Sequence, residues 1–139
     1  MSSALDSSVI IAALNGEDPD HEACLAIFDL PRLSIFSHAL SEVFSTLTGG
    51  RLGFRVPASQ AAAILKDQIA PRLKIISLTP KDLLNAYAEA ESKGIRGGAI
   101  YDYLHLVAAR KAGVERLCTL NLGDFQAFHR PDDPDIVAP

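Results

Sequence analysis

The sequence is poor in cysteine: Cys24 and Cys118 stand far apart and form no CxxC pair. This usage suits a reducing, cytoplasmic compartment, with both thiols serving as small buried hydrophobes. No apolar run approaches the roughly 18 residues that a membrane span needs. The first residues, MSSALDSSVIIAAL, lack Lys and Arg and reach an acid at Asp6, which makes a poor signal peptide. A net charge of −4 argues against holding nucleic acid by bulk positive charge alone. It leaves open a protein that brings metal ions to the phosphate. There is no HExxH, no GxSxG elbow and no Walker loop, so zincin, serine-nucleophile and P-loop chemistries have no support. Repeats, low-complexity tracts and linkers are absent as well.

What is present is 139 residues with 48% apolar content. That is the length of one ordinary domain, 1–139, and enough to hide about two-thirds of the unfolded surface. Residues 3–6, SALD, are too short to assign alone, but SVIIAAL after them reads as helical. Asp18 followed by Pro19 starts a helix that runs through HEACLAIFDL and stops before Pro31. LSIFS (33–37) reads as a buried strand, and Ser37 caps a helix ending at Gly49–Gly50. A helix over 57–70, a strand over 74–78 and a helix from Thr79–Pro80 to about Lys93 follow. The glycines at 97–98 and 113 bracket a helix over 99–112, then RLCTL (116–120) and DIVAP read as strands. Short apolar strands alternating with helices mean a parallel sheet covered on both faces. In such sheets function gathers beyond the carboxyl ends of the strands.

Four acids fall there. Asp6 closes the first strand, Glu42 lies in the second turn after LSIFS, Asp102 in the first turns after Gly97–Gly98, and Asp124 just after RLCTL. Taken singly, each has a plainer explanation: a helix cap, a solvated helix position, or an acid favoured near a helix N-terminus. Together they form a set, because carboxylates brought close repel unless a cation sits between them. Oxygen donors of this kind suit hard cations such as Mg²⁺ or Mn²⁺, which keep water ligands and can neutralise a phosphate. A receiver-type phosphoacceptor would want paired acids at the first strand and a Lys after the last, and neither pattern occurs.

With ALDSSVIIAAL, SHALSEVFSTLTGG, RGGAIYDYLHLVAARKAG and TLNLGDF in that order, the chain resembles the PIN-domain ribonucleases, specifically the VapC toxins of toxin–antitoxin pairs. The resemblance covers Asp6 to Phe125. It implies an α/β/α sandwich around a parallel sheet and a Mg²⁺- or Mn²⁺-dependent endoribonuclease toxin. It maps the catalytic, metal-holding acids onto Asp6, Glu42, Asp102 and Asp124. It also implies structured RNA such as a tRNA or rRNA loop as target, a homodimer, and a cognate VapB-type antitoxin that blocks the site. Asn121 departs from the pattern, since many relatives carry an Asp there; its amide would bind a water or ligand instead. A catalytically idle RNA- or protein-binding PIN-like module is the alternative, and a DNA nuclease of related fold a third reading.

Ser8 and Thr119 are candidate hydroxyls to orient the carboxylates. Of the histidines, His105 lies one turn from Asp102 and reads as a partly buried residue on the helix flank. Arg96 before Gly97–Gly98 is a candidate RNA-backbone contact, with Arg51 and Arg55 as weaker ones; solvated surface arginine is the competing reading for each. Apolar positions on the helices 19–30 (Leu25, Phe28) and 38–48 (Leu40, Val43, Phe44, Leu47) outline a groove in which an antitoxin helix would lie.

Overall fold

The computed structural model describes residues Met1–Pro139. The elements run β1 (Ser3–Leu5), α1 (Ser7–Leu14), α2 (His21–Ile27), β2 (Leu33–Phe36), α3 (His38–Gly49), α4 (Ala58–Ile64), β3 (Lys74–Ile76), α5 (Pro80–Glu89), α6 (Ala99–Ala112), β4 (Arg116–Cys118), α7 (Leu122–Phe128) and β5 (Asp135–Val137). The strands form one parallel sheet in the order β3-β2-β1-β4-β5. The chain therefore builds outward from β1 through β2 to β3, then returns to lay β4 and β5 on the other side of β1. The point where strand order reverses lies at β1, and a crevice opens there beyond the strand ends.

Alternation along the short strands feeds two cores, one on each sheet face. Leu5, Leu33, Ile35 and Cys118 point to the side covered by α1, α2, α3 and α4, where Val9, Ile10, Val43 and Leu47 meet them. Ala4, Phe36, Ile76 and Leu117 point to the side of α5, α6 and α7, against Leu104, Leu106, Phe125 and Phe128. The result is a three-layer α/β/α sandwich. Both cysteines are free and buried, and burial together with Asp20 and Asp18 pushes the Cys24 thiol up to about 11. No helix is long and apolar enough to cross a membrane.

The sequence reading holds for the long helices and slips at the ends. α6 spans the expected 99–112, and the strands are shorter than read, ending at Phe36, Ile76 and Cys118. Asp18 and Pro19 do not start α2. They form a turn in which Asp18 Oδ1 accepts from the Asp20 amide at 2.8 Å, and the helix begins at His21 and stops at Ile27. Ser37 makes no side-chain cap; its amide instead donates to Ile76 O at 2.8 Å. The expected helix over 57–70 is α4 followed by a wider turn over Leu65–Ile69 and a tight turn over Ala70–Arg72. That change of pitch turns the chain into β3 without an open loop. α5 ends at Glu89 rather than Lys93. Its start is fixed by a reciprocal box, in which Asp82 N donates to Thr79 Oγ1 and Thr79 N to Asp82 Oδ2. α7, which carries Asp124, had no clear signature because LGDFQAF is only two turns long.

Candidate active site

Register sets the site. Leu5 pairs with Ile35 on one side and Cys118 on the other, so Asp6 emerges level with Phe36 at the end of β2 and with Thr119 just after β4. Asp6 emerges in the middle. It is 1% exposed and caps α1, with Oδ1 accepting from the Val9 amide at 3.4 Å. Two hydroxyls complete its shell. Ser8 Oγ donates to Oδ1 at 2.5 Å and Thr119 Oγ1 to Oδ2 at 2.7 Å. Each hydroxyl in turn accepts a backbone amide from the chain after β4: Leu120 N at 3.2 Å for Ser8, Asn121 N at 2.9 Å for Thr119. With the amides pointed into the oxygens, both hydroxyl hydrogens are free to face the carboxylate. Burial pushes the Asp6 carboxyl up, and the Ser8 hydroxyl, His105, the Thr119 hydroxyl and the Val9 amide pull against it.

Asp102 is half-buried at the start of α6. Burial raises its carboxyl above the usual range; the charge of Asp6 pushes the same way, His105 opposes, and Asp124 and then Glu42 add to the rise. The other three acids named from the sequence thus all bear on Asp102. Glu42 faces the cleft from α3, and its Oε1 meets His105 Nε2 at 2.7 Å. Asp124, in the first turn of α7, is exposed. Asn121 precedes α7 with an exposed side chain that makes no cap, and its contribution to the site is the backbone amide given to Thr119.

No three His, Cys, Asp or Glu side chains stand close enough to grip an ion as placed. The donor set still fits a divalent cation of the hard class, since it consists of carboxylate oxygens whose charges already raise Asp102 and would be relieved by a cation.

His105 is not the half-buried flank residue read from the sequence. It is 2% exposed, and its Nδ1 is buried without a partner. The available signal was its place three residues after Asp102, on the same face of α6. A cleft of about 700 Å³ opens beside Glu42, edged also by Ser8, Ser41, Ser45, Arg51 and Tyr101; Asp6, Asp102 and Asp124 do not line it. Arg51 reaches it. Arg96 does not; it borders a separate recess with Tyr87, Ile95 and Ile100, on the far side of Tyr101. Arg55 lies across Gly50, whose φ of +85° is a backbone conformation that favours glycine.

α1 packs against both α2 and α3, the helices expected to flank a groove. Leu25 and Phe28 instead edge a recess with Ala13, Leu14, Ile69 and Arg72, while Val43 and Leu47 are buried in the core.

Comparison with known proteins places this arrangement. The model of the PIN domain matches residues 4–130. VapC20 of Mycobacterium tuberculosis, a sarcin–ricin loop cleaving toxin, is similar with a TM-score of 0.71 and 22% identity, over 96% of this chain and 100% of that one. VapBC2 from Rickettsia felis, in a structure bound to a DNA fragment from their promoter, is similar with a TM-score of 0.69 and 21% identity, over 100% and 99% of the two chains. VapBC-1 from nontypeable Haemophilus influenzae gives 0.67 and 15%, over 99% and 98%. At these identities the likeness is one of fold. No curated protein matches the sequence. With its acids at the switch point of a β3-β2-β1-β4-β5 sheet and the family match across nearly all of its length, the chain belongs to the PIN-domain family.

Proposed function

We infer that the chain is a VapC-type endoribonuclease toxin acting as one PIN domain in the cytoplasm, and that Asp6, Glu42, Asp102 and Asp124 hold a Mg²⁺ or Mn²⁺ ion. The observation that carries this is the raised Asp102 carboxyl, pushed up by burial and by Asp6, Asp124 and Glu42. The charges that raise Asp102 at this strand-end crevice would be relieved by a bound cation. The bound ion would supply an activated water and offset the charge of the phosphate. Ser8 and Thr119 fix the rotamer of Asp6, His105 fixes Glu42, and Arg51 in the cleft meets an RNA phosphate.

The structured-RNA target, the homodimer and a VapB-type antitoxin come with the same reading. VapC20 is a sarcin–ricin loop cleaving toxin, and two of the similar structures are VapBC structures. An antitoxin helix has a receptive surface in the Leu25–Phe28 recess, which lies on the α1–α2 side of the fold. Brief expression followed by sequencing of new RNA 5′ ends tests the function. The expected result is a recurrent cut in a structured loop, absent for Asp102→Asn; identical end profiles for both chains would return the protein to the reading of an idle binding module.

A further inference from the structure

A column of rings runs from the core to the mouth of the acid site. Phe36, the last residue of β2, is 7% exposed and packs on the α6 side of the sheet. His105 meets it edge-on at 5.6 Å, and His38, the first residue of α3, stands 6.0 Å from it. Tyr101 then lies over His38 with centroids 5.3 Å apart and planes within 12° of parallel. The column ends there, with Tyr101 49% exposed. His38 and Tyr101 both edge the cleft that contains Glu42 and Arg51, and Tyr101 is the residue before Asp102.

Two physical facts give this column a use. A chain of net charge −4 has little bulk attraction for a polyanion, so affinity for RNA must come from local contacts. A half-exposed aromatic already held flat by a second ring loses little freedom when a base covers it, and every base has a face to offer. A base inside a duplex has both faces taken by its neighbours; only an unpaired one is available.

We propose that Tyr101, backed by His38, is a stacking platform for an unpaired base of single-stranded or looped RNA, with the adjoining phosphate led past Arg51 toward the acids. The proposal deepens the ribonuclease reading and rests on it for the identity of the ligand. The platform sets which nucleotide stands beside the acids; it touches substrate without taking part in bond breaking.

The test uses single-stranded RNA carrying 2-aminopurine, whose fluorescence falls when it stacks, bound to the full chain in an Asp102→Asn background so that the RNA stays intact. The expected result is quenching on binding, kept by Tyr101→Phe. Tyr101→Leu should lose the quenching and bind at least about fivefold more weakly. The same label within a duplex should bind poorly. Matching melting curves for the three proteins exclude misfolding, which the exposure of Tyr101 makes a small risk. Equal binding and quenching by Tyr101→Leu, equal binding of the duplex, or no quenching by the parent each overturns the platform. If the label is quenched but the wild-type chain cuts no RNA in Mg²⁺ or Mn²⁺, the platform stands and the ribonuclease reading falls. If the chain cuts RNA and Tyr101→Leu quenches like its parent, the reverse holds.

Discussion

Replacing Thr119 by valine asks whether Asp6 is an ionised, fully held carboxylate. Thr119 is 0% exposed, and valine matches its shape, so no cavity opens. What disappears is one hydroxyl that donates to Asp6 Oδ2 at 2.7 Å and accepts from Asn121 N at 2.9 Å. A hydrogen bond to a charged group contributes about 1.5–3 kcal/mol, against about 0.5–1.5 kcal/mol for a neutral pair. The freed Asn121 amide belongs to an exposed residue and can turn to water, so its loss adds little. The expected destabilisation of Thr119→Val is therefore about 2–3 kcal/mol. At about 2.1 cal/mol/K of unfolding entropy per residue, that lowers Tm by roughly 7–10 °C for a chain of this length. Thermal unfolding followed by circular dichroism at pH 7 with EDTA present measures it. The double variant Asp6→Asn/Thr119→Val should recover part of the loss, because the two side chains act on each other. A fall in Tm of 2 °C or less would refute the reasoning: Asp6 would then be neutral in the metal-free protein, its burial outweighing the four groups that favour its charge.

Other expectations follow from the same structure. Asp102→Asn should raise the metal-free Tm by about 2–5 °C at pH 7, because the native state no longer confines a charge beside Asp6. Since the Asp102 carboxyl is raised in the native state, its own contribution to stability is full below about pH 4 and is lost as pH rises through the raised value; the gain from Asp102→Asn should vanish near pH 4, and a gain independent of pH in calorimetry would contradict the assignment. Asp82 behaves in the opposite sense: Lys111 first, then Thr79, holds it down to about 2, so the stability difference between wild type and Asp82→Asn should be present above about pH 4 and fade as pH falls toward 2. Arg110→Met leaves Asp133, 8% exposed, without the partner that bonds it at 2.5 and 3.1 Å, and should cost about 3 kcal/mol in urea unfolding. Arg51→Ala should reduce the salt slope of RNA binding by about one, whereas Arg96→Ala, which borders another recess, should leave it near the wild-type value in filter-binding titrations.

Most of the architecture was legible because it depends on local signals. Gly113 stops α6 with φ of +67°, Gly50 stops α3 with φ of +85°, and apolar strand residues mark a sheet buried on both faces. The positions of Asp6, Glu42, Asp102 and Asp124 at one end of the sheet follow from element order, which the sequence shows. The rest depends on contacts between distant segments. Nothing in SALDSS shows that Ser8 bonds an amide 112 residues away, and nothing in YDYLHL shows that His105 faces inward to Glu42 across 63 positions. That Leu25 and Phe28 edge a recess with Ala13 and Leu14 depends on α1 packing against α2, which helix order in the sequence does not reveal. Tyr101 and His38 carry no local signature, since their stacking joins the starts of α6 and α3, which meet only because α6 packs across β2.

The central claim is that the acids at the end of β1, α3, α6 and α7 form one metal-dependent site that cuts RNA. Cleavage of an end-labelled, structured RNA by the purified chain in Mn²⁺ or Mg²⁺, repeated with EDTA and with Asp102→Asn, tests it most directly. The account predicts cuts that require the ion, stop on chelation and fall by at least about a hundredfold in Asp102→Asn at unchanged fold. Cleavage that survives EDTA, or that proceeds at the wild-type rate without the Asp102 carboxylate, would contradict it.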